Sequence, residues 1–205
     1  MSNQVQRDMK AIFETLITSY IEDKVGIAED FLSTELCTNL RANLLSFNND
    51  HLLLQAGVGN DGKMVHDNLI RSDKIYWLDK THNNAFEAEF FDTMDAFVAY
   101  LNENCFTNIT HYEFHYSLYE AGTFYRPHLD QFEDDSKRQF SMMNYLNANW
   151  HKKDGGELLI HQDHHNQTIA PTQGKTVFFK SDELLHEVLV TNERRMSVTG
   201  WLKRG

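Results

Sequence analysis

Three stretches in the C-terminal half of the chain decide its fold: residues 112–119 (YEFHYSLY), 139–146 (QFSMMNYL) and 196–202 (MSVTGWL). Each is short, rich in aromatic and aliphatic residues and partly alternating, a pattern that predicts β-strands. Five similar stretches predict strands at 124–130, 157–161, 167–170, 175–179 and 186–190. About eight short strands are enough to build a double-sheet jelly roll, also described as a double-stranded β-helix.

The N-terminal half has a helical pattern instead. Apolar residues recur at intervals of three and four within 5–21 and 85–102, and Ser33 is a suitable N-cap for a helix over 34–45. Between the last two helices, three glycines predict a flexible loop over 55–69, followed by an extended segment over 70–78. We therefore expect an α+β fold in which about three helices cover one sheet of the jelly roll.

One domain accounts for residues 1–205, because no repeat, low-complexity segment or linker divides the chain. We expect residues 1–110 to form the helical cover and a substrate loop, and residues 111–203 to form the jelly-roll core. The formal net charge of −11 argues against a nucleic-acid partner, and the lack of a long apolar run argues against a membrane partner. The two widely separated cysteines, Cys37 and Cys105, are typical of a cytoplasmic protein.

Histidine and carboxylate spacing points to a metal site. His128 and Asp130 are two residues apart in a predicted strand, so both side chains would project from the same face. His186, on a later strand, could complete a triad of two histidines and one carboxylate, which leaves positions on iron open for substrate and oxygen. A second H-x-D pair, His161 and Asp163, is disfavoured because it lies in a polar, turn-like cluster with only about one hairpin between it and His186.

A second feature follows the last candidate ligand. Arg195 stands nine residues after His186 in a predicted strand, where its guanidinium could form a forked hydrogen bond with the far end of a dicarboxylate. Arg194 would face the opposite side of that strand. Tyr145, taken alone, is a strand tyrosine whose hydroxyl needs a partner.

With these residues in place, the sequence resembles the iron- and 2-oxoglutarate-dependent dioxygenases, and among them the prolyl hydroxylases of the hypoxia-inducible-factor (EGL-nine) type and their bacterial relatives. The resemblance covers about residues 26–202. One departure is the turn after Tyr119, which lacks the proline that is usual in the family and is about one residue short. The matching sequences are IRSDKIYW (70–77), Tyr119 with Gly122 and Tyr125, HLD (128–130), YLN (145–147) with Trp150, GGEL (155–158), FF (178–179), HEV (186–188), and Arg195 with Trp201.

The resemblance implies a role for each residue that it matches. It implies that His128, Asp130 and His186 bind Fe(II), and that 2-oxoglutarate and O2 are cosubstrates, with ascorbate as a candidate further cofactor. Arg195 and Tyr145 would bind the C5 carboxylate of 2-oxoglutarate, with Tyr119 nearby. The resemblance places a peptide substrate near four residues at the mouth of the barrel: Arg71, Asp73, Trp77 and Trp201.

Purely structural roles are an alternative for the four residues at the mouth of the barrel. Arg71 and Asp73 could form only a local ion pair on a surface loop, and a tryptophan at a strand position is more often a core residue. The resemblance therefore adds a function that the residues alone leave open.

The function that we expect is hydroxylation of a prolyl residue in a protein substrate, with a protein of the translation machinery as a candidate. Succinate and CO2 would be released. The alternatives are the same oxidation of another protein side chain, a free amino acid or a small metabolite. From other classes, a non-catalytic metal- or peptide-binding module and a zinc hydrolase remain open.

Overall fold

The computed structural model describes residues 3–57, 69–131, 136–163 and 165–205, with only the backbone described for residues 3–8. Within these ranges the chain forms three α-helices: α1 (Asn3–Asp23), α2 (Thr34–Asn49) and α3 (Ala85–Cys105). None of them is both long and apolar enough to cross a bilayer. The same ranges contain eleven strands: β1 (Gly26–Ala28), β2 (Leu54–Gln55), β3 (Lys74–Trp77), β4 (His111–Tyr119), β5 (Tyr125–His128), β6 (Arg138–Tyr145), β7 (Leu158–His161), β8 (Asn166–Ile169), β9 (Thr176–Lys180), β10 (Leu185–Val188) and β11 (Arg195–Lys203).

Two antiparallel sheets form the α+β jelly roll that the sequence predicted. The larger sheet has the strand order β1-β9-β6-β11-β4-β3-β2, and the smaller has the order β5-β10-β7-β8. The eight strands expected in the C-terminal half correspond to β4 to β11. Strands β1 and β2 were not predicted, because segments of three and two residues carry no readable alternation and form through pairing with β9 and β3.

Alternation along the strands gives the larger sheet one face that packs against the helices and one that faces the smaller sheet. On β11, Met196, Val198 and Leu202 pack into the core beneath the helices. Successive strand residues point to opposite faces, so Arg195 and Trp201 turn toward the smaller sheet. Strand β4 repeats this arrangement, since its residues Phe114, Tyr116 and Leu118 belong to the same helix-covered core. The opposite face is the one that carries the candidate site.

The helices form where the sequence supplies capping groups. The side chain of Ser33 accepts a hydrogen bond from the backbone N–H of Leu36, which confirms it as the N-cap of α2. Asn84 caps α3 in the same way, accepting from Phe86 and Glu87. Helix α3 continues to Cys105, beyond the predicted end at 102, and stops where Phe106 adopts a left-handed backbone with φ of 53°.

The segment 70–77 passes from one sheet to the other. Arg71 forms an isolated antiparallel bridge with Tyr125 at the edge of the smaller sheet. Five residues later the chain has joined the larger sheet, where Tyr76 pairs with Tyr116 of β4. This crossing closes one side of the space between the sheets. Most of the predicted flexible loop at 55–69 lies outside the described residues.

Candidate metal centre and cosubstrate pocket

His128, Asp130 and His186 meet between the two sheets. His128 ends β5, directly opposite His186 on the antiparallel neighbour β10. One ligand atom from each of the three residues lies within 4.8 Å of the other two. The sequence prediction that His128 and Asp130 share a strand was wrong. The strand stops at His128, and Asp130 follows in a loop, where its backbone N–H donates to the carbonyl of Ser181 at 3.2 Å.

Hydrogen bonds fix which nitrogen of each histidine is available to a metal. Nδ1 of His128 lies 2.8 Å from the carbonyl oxygen of Arg126, and Nδ1 of His186 lies 2.9 Å from that of Leu184. A carbonyl oxygen only accepts, so both Nδ1 atoms carry the proton and both Nε2 atoms have a free lone pair. Each Nε2 lies 3.5 Å from a carboxylate oxygen of Asp130.

This donor set fits a divalent cation. The Nε2 atoms of both histidines converge on the two carboxylate oxygens of Asp130, and the buried Oδ2 of Asp130 makes no hydrogen bond among the described residues. Converging lone pairs repel one another unless a cation lies among them. Two imidazoles and one carboxylate on one side of a metal form the set that suits non-haem Fe(II) with open positions.

Burial sets the protonation states that ligands need. Burial lowers the pKa of His186 to about 4, and the neighbouring His128 ring acts in the same direction. Burial alone would raise the pKa of Asp130, but interactions with His186 and His128 outweigh it and hold the pKa below its ordinary value. Near neutral pH, Asp130 is therefore an anion and His186 is a neutral imidazole.

The three residues line a cavity of about 690 Å³ between the sheets. Its volume is within the usual range for small-molecule sites. The cavity is also lined by Arg71, Trp77, Tyr119, Arg195 and Trp201. The metal group and the arginine therefore border one continuous space, which extends to the tryptophans of the mouth.

Arg195 is a buried cation with no anion beside it. It is 2% exposed, and among the described residues no carboxylate forms an ion pair with it. Its Cζ atom lies 5.0 Å from the ring centres of both Tyr119 and Tyr145. The hydroxyl of Tyr145 is buried and has no hydrogen-bond partner in the described part of the chain. A buried guanidinium and a nearby unpartnered hydroxyl suit an anionic ligand.

The neighbouring arginine has the opposite environment. The side chain of Arg194 is 46% exposed and forms a forked ion pair with Glu120 on the surface, with bonds of 3.0 and 3.2 Å. The two arginines therefore face opposite environments, as the sequence suggested, although Arg194 directly precedes β11 and does not belong to it. Arg195 points inward, toward the space that the metal group borders.

Tyrosine and arginine stack against the metal group. The ring of Tyr125 lies parallel to that of His128, with centres 3.6 Å apart, and the guanidinium of Arg71 covers Tyr125 at 4.7 Å. Arg71 in turn forms a forked pair with the fully buried carboxylate of Asp73, at 2.6 and 3.0 Å. The structure thus contains the local ion pair, and it also places Arg71 at the cavity wall.

An aromatic wall lies toward the mouth. Trp77 is 45% exposed and Trp201 is 5% exposed, and both line the cavity. The preference for Trp77 as a core residue was wrong, because β3 lies near the sheet edge with only the two-residue β2 beyond it. The imidazole of His115 contacts both indoles, with ring centres 5.1 Å from Trp77 and 5.6 Å from Trp201, and the two indoles lie 6.4 Å from each other.

The competing H-x-D pair has a different environment. Nε2 of His161 lies 3.0 Å from a carboxylate oxygen of Glu187, and Asp163 is exposed. Neither belongs to the metal-binding group. His164, from the same polar cluster, lies outside the described residues.

Among the polar and aromatic residues of the cavity wall, sequence reasoning did not identify His115 or Arg138, and it matched Tyr125 to the family without giving it a role in the site. His115 could have been found from the alternation of β4, because it shares a strand face with Tyr119. The guanidinium of Arg138 stacks on Trp201 at 3.4 Å and donates to the backbone carbonyl of Asp130 at 3.1 Å. No local pattern predicts that contact, since it joins β6 to a loop.

Comparison with known proteins agrees with this geometry. Residues 114–203 match the family model of the 2OG-Fe(II) oxygenase superfamily. A prolyl-4-hydroxylase from Pseudomonas putida is 30% identical, with 96% of this chain and 99% of that chain covered and a TM-score of 0.83. The chain belongs to the 2OG-Fe(II) oxygenase superfamily, whose members use Fe(II), 2-oxoglutarate and O2.

Two more distant structures share the fold. A prolyl hydroxylase from Trichoplax adhaerens, solved with a peptide fragment of the hypoxia-inducible-factor oxygen degradation domain, is 20% identical, with 99% and 94% of the two chains covered and a TM-score of 0.88. A viral collagen prolyl hydroxylase from Paramecium bursaria Chlorella virus-1, solved with 2OG, is 18% identical, with 89% and 97% covered and a TM-score of 0.62. The structural neighbours of the chain thus include prolyl hydroxylases of several kinds.

Proposed function

We propose that the chain hydroxylates a prolyl residue of a protein or peptide substrate, using O2 and converting 2-oxoglutarate to succinate and CO2. The observation that carries this proposal is the combination of a His-Asp-His group and a buried guanidinium without a carboxylate partner in one cavity. A zinc hydrolase or a simple metal-binding module needs the first feature and has no use for the second.

His128, Asp130 and His186 are the proposed iron ligands. Their role is to hold the metal through two Nε2 atoms and one carboxylate, with the Nδ1 hydrogen bonds keeping the rings in the required orientation. When bound, Fe(II) and 2-oxoglutarate supply the activation of O2. The protein groups orient the reactants and exclude water.

Arg195, Tyr145 and Tyr119 are the proposed cosubstrate residues. Arg195 would donate a forked hydrogen bond to the C5 carboxylate of 2-oxoglutarate. The unpartnered hydroxyl of Tyr145 would donate a further hydrogen bond to the same carboxylate. Burial raises the pKa of Tyr145, although Arg195 opposes the rise, so the hydroxyl keeps its proton near neutral pH. Tyr119 packs its ring against the guanidinium.

Arg71, Asp73, Trp77 and Trp201 are the proposed substrate residues. The two tryptophans offer flat apolar surfaces to a pyrrolidine ring and its neighbours. Arg71 lines the same cavity, and Asp73 holds it there. The Trichoplax adhaerens neighbour, whose structure includes a peptide, supports a peptide as the substrate class.

Three further expectations belong to the proposal. Ascorbate would act as a reductant that maintains iron in its ferrous state. The chain would act in the cytoplasm, and a protein, with one of the translation machinery as a candidate, would carry the target proline. Residues 1–205 would act as one domain, with 111–203 as its catalytic core.

The proposal is tested with purified protein, Fe(II) and 2-oxoglutarate under air. Proline-containing peptides are compared with free proline and other free amino acids, and succinate is measured together with peptide mass. We expect succinate formation to be stimulated by peptides, with one oxygen atom added to a proline. Stimulation by a free amino acid alone would favour the small-molecule alternative. Comparing the host proteome with and without the gene, by mass spectrometry, would then identify the protein that carries the modified proline.

A further inference from the structure

We propose that Gly156 is a positioning residue for Arg195, and that Trp150 supports it through Gly155. The inference rests on the proposed function, in which Arg195 binds the distal carboxylate of 2-oxoglutarate. It adds a reason why the guanidinium faces that carboxylate, and it assigns a role to three residues that do not line the cavity.

The direct contact is a hydrogen bond inside the protein. Nε of Arg195 donates to the backbone carbonyl of Gly156 at 2.8 Å. A guanidinium is planar, so fixing Nε fixes the direction of the two terminal nitrogens as well. The terminal nitrogens have no carboxylate partner among the described residues, and the guanidinium lies beside Tyr119 and Tyr145. The carbonyl of Gly156 therefore sets the direction in which Arg195 can bind a ligand.

Position 156 has room for glycine alone. Its φ is +66°, a backbone conformation that side chains rarely adopt. A Cβ atom there would lie 2.9 Å from the side chain of Thr191 and 3.1 Å from Cδ of Arg195. Relief of the second contact requires the arginine to move. A methyl group at 156 would thus act directly on the side chain that the carbonyl of the same residue holds.

The turn that contains Gly156 is held from two sides. The indole N–H of Trp150 donates to the carbonyl of Gly155 at 3.0 Å, and the N–H of Gly156 donates to Val190 at 3.1 Å. Gly155 also has a positive φ, of +67°, and a Cβ atom there would lie 2.6 Å from the carbonyl of Val190. The turn is therefore closely packed against the chain before β11, and Trp150 is its outer anchor.

Thr191 closes the arrangement. Its carbonyl accepts from Gly122 at 2.7 Å and its N–H donates to Thr123 at 3.1 Å, so the turn after β4 is tied to the same place. Tyr119 ends β4 three residues before Gly122. These bonds hold the backbone of Thr191, and its hydroxyl donates to the carbonyl of Glu193, so its side chain cannot withdraw from a Cβ at 156 without disturbing them. Part of the strain of a substitution should therefore fall on Arg195.

The test compares two ligands that differ at the end that Arg195 would bind. N-oxalylglycine has a metal-chelating end and a distal carboxylate, whereas oxalate has the chelating end alone. Both are titrated anaerobically by calorimetry into protein loaded with Mn(II) in place of Fe(II). We expect Gly156→Ala to raise the dissociation constant of N-oxalylglycine about tenfold or more. The dissociation constant of oxalate should change less than twofold, because only N-oxalylglycine contacts Arg195.

Gly174→Ala is the matched control. Gly174 also has a positive φ, of +83°, but a Cβ atom there would make only ordinary contacts with Asp30, at 3.4 Å and beyond. Both variants carry the cost of a side chain at positive φ, so Gly174→Ala should lose stability without changing the ratio of the two affinities. An equal change of that ratio in both variants would overturn the positioning role.

Trp150→Phe keeps the inference testable if Gly156→Ala does not fold. It removes one hydrogen bond to Gly155 and should weaken the binding of N-oxalylglycine about threefold, again without affecting the binding of oxalate. In an Arg195→Lys background the bond to Gly156 is absent, so Trp150→Phe should have no further effect on N-oxalylglycine. An equal effect in both backgrounds would overturn the inference. Failure of the wild-type protein to bind either ligand would instead contradict the proposed function.

Discussion

Replacing Arg195 and Arg194 separately by alanine tests the cosubstrate assignment with a matched pair of neighbours. Arg195 is 2% exposed and borders the cavity, whereas the side chain of Arg194 is 46% exposed and paired with Glu120. A charge-assisted forked hydrogen bond contributes on the order of 1.5–3 kcal/mol, so Arg195→Ala should weaken the binding of 2-oxoglutarate roughly ten- to a hundredfold or more. A surface ion pair contributes about 0–1 kcal/mol, and to stability rather than to binding.

The assay is the Michaelis constant for 2-oxoglutarate at saturating iron and peptide, together with anaerobic calorimetry. Arg195→Ala should raise the Michaelis constant, and Arg194→Ala should leave it near the wild-type value. Iron affinity should stay near normal in both variants, because neither arginine contacts the metal group. If Arg194→Ala raised the constant more than Arg195→Ala, or if both variants matched the wild type, the assignment of the inward-facing arginine would be refuted.

Three further changes test other parts of the site. His186→Ala should reduce iron content and turnover sharply while the fold survives; wild-type iron content, measured by metal analysis, would contradict the triad. Arg71→Ala should lower peptide-dependent succinate formation more than peptide-independent formation, and equal losses would place Arg71 in the scaffold alone. Burial, helped by Arg71, lowers the pKa of His115 from 6.5 to about 4, so the unfolded chain binds the extra proton between these values. The contribution of His115 to the free energy of unfolding should therefore be fully present above pH 6.5 and fall by about 3 kcal/mol toward pH 4. Urea unfolding of metal-free protein, in which His186 adds a loss of its own, should show a smaller total fall in His115→Phe than in the wild type; equal falls in both proteins would contradict a buried neutral His115.

The sequence predicts most strongly those features that depend on local periodicity. Strand alternation predicted that Arg195 and Arg194 face opposite ways, and they do, although β11 begins only at Arg195. The cap of α2 at Ser33 was also readable, because an N-cap is a contact between near neighbours.

Features that depend on distant contacts could not be read in this way. Asp130 lies outside its strand because its backbone bonds to Ser181, which comes from the loop after β9. The two-residue strand β2 exists only because β3 pairs with it. The contact of Arg138 with the carbonyl of Asp130 likewise joins parts of the chain that no local pattern links. Such contacts follow from the fold and need coordinates.

The most direct test of the central claim is oxygen-dependent conversion of 2-oxoglutarate to succinate by the purified protein. Equal amounts of protein loaded with Fe(II) or Zn(II) are incubated with 2-oxoglutarate and proline peptides, under air or under nitrogen. The account predicts succinate only with Fe(II) and air, and its loss in the Asp130→Ala variant. Succinate formation with Zn(II) or under nitrogen, or undiminished formation by Asp130→Ala, would contradict it.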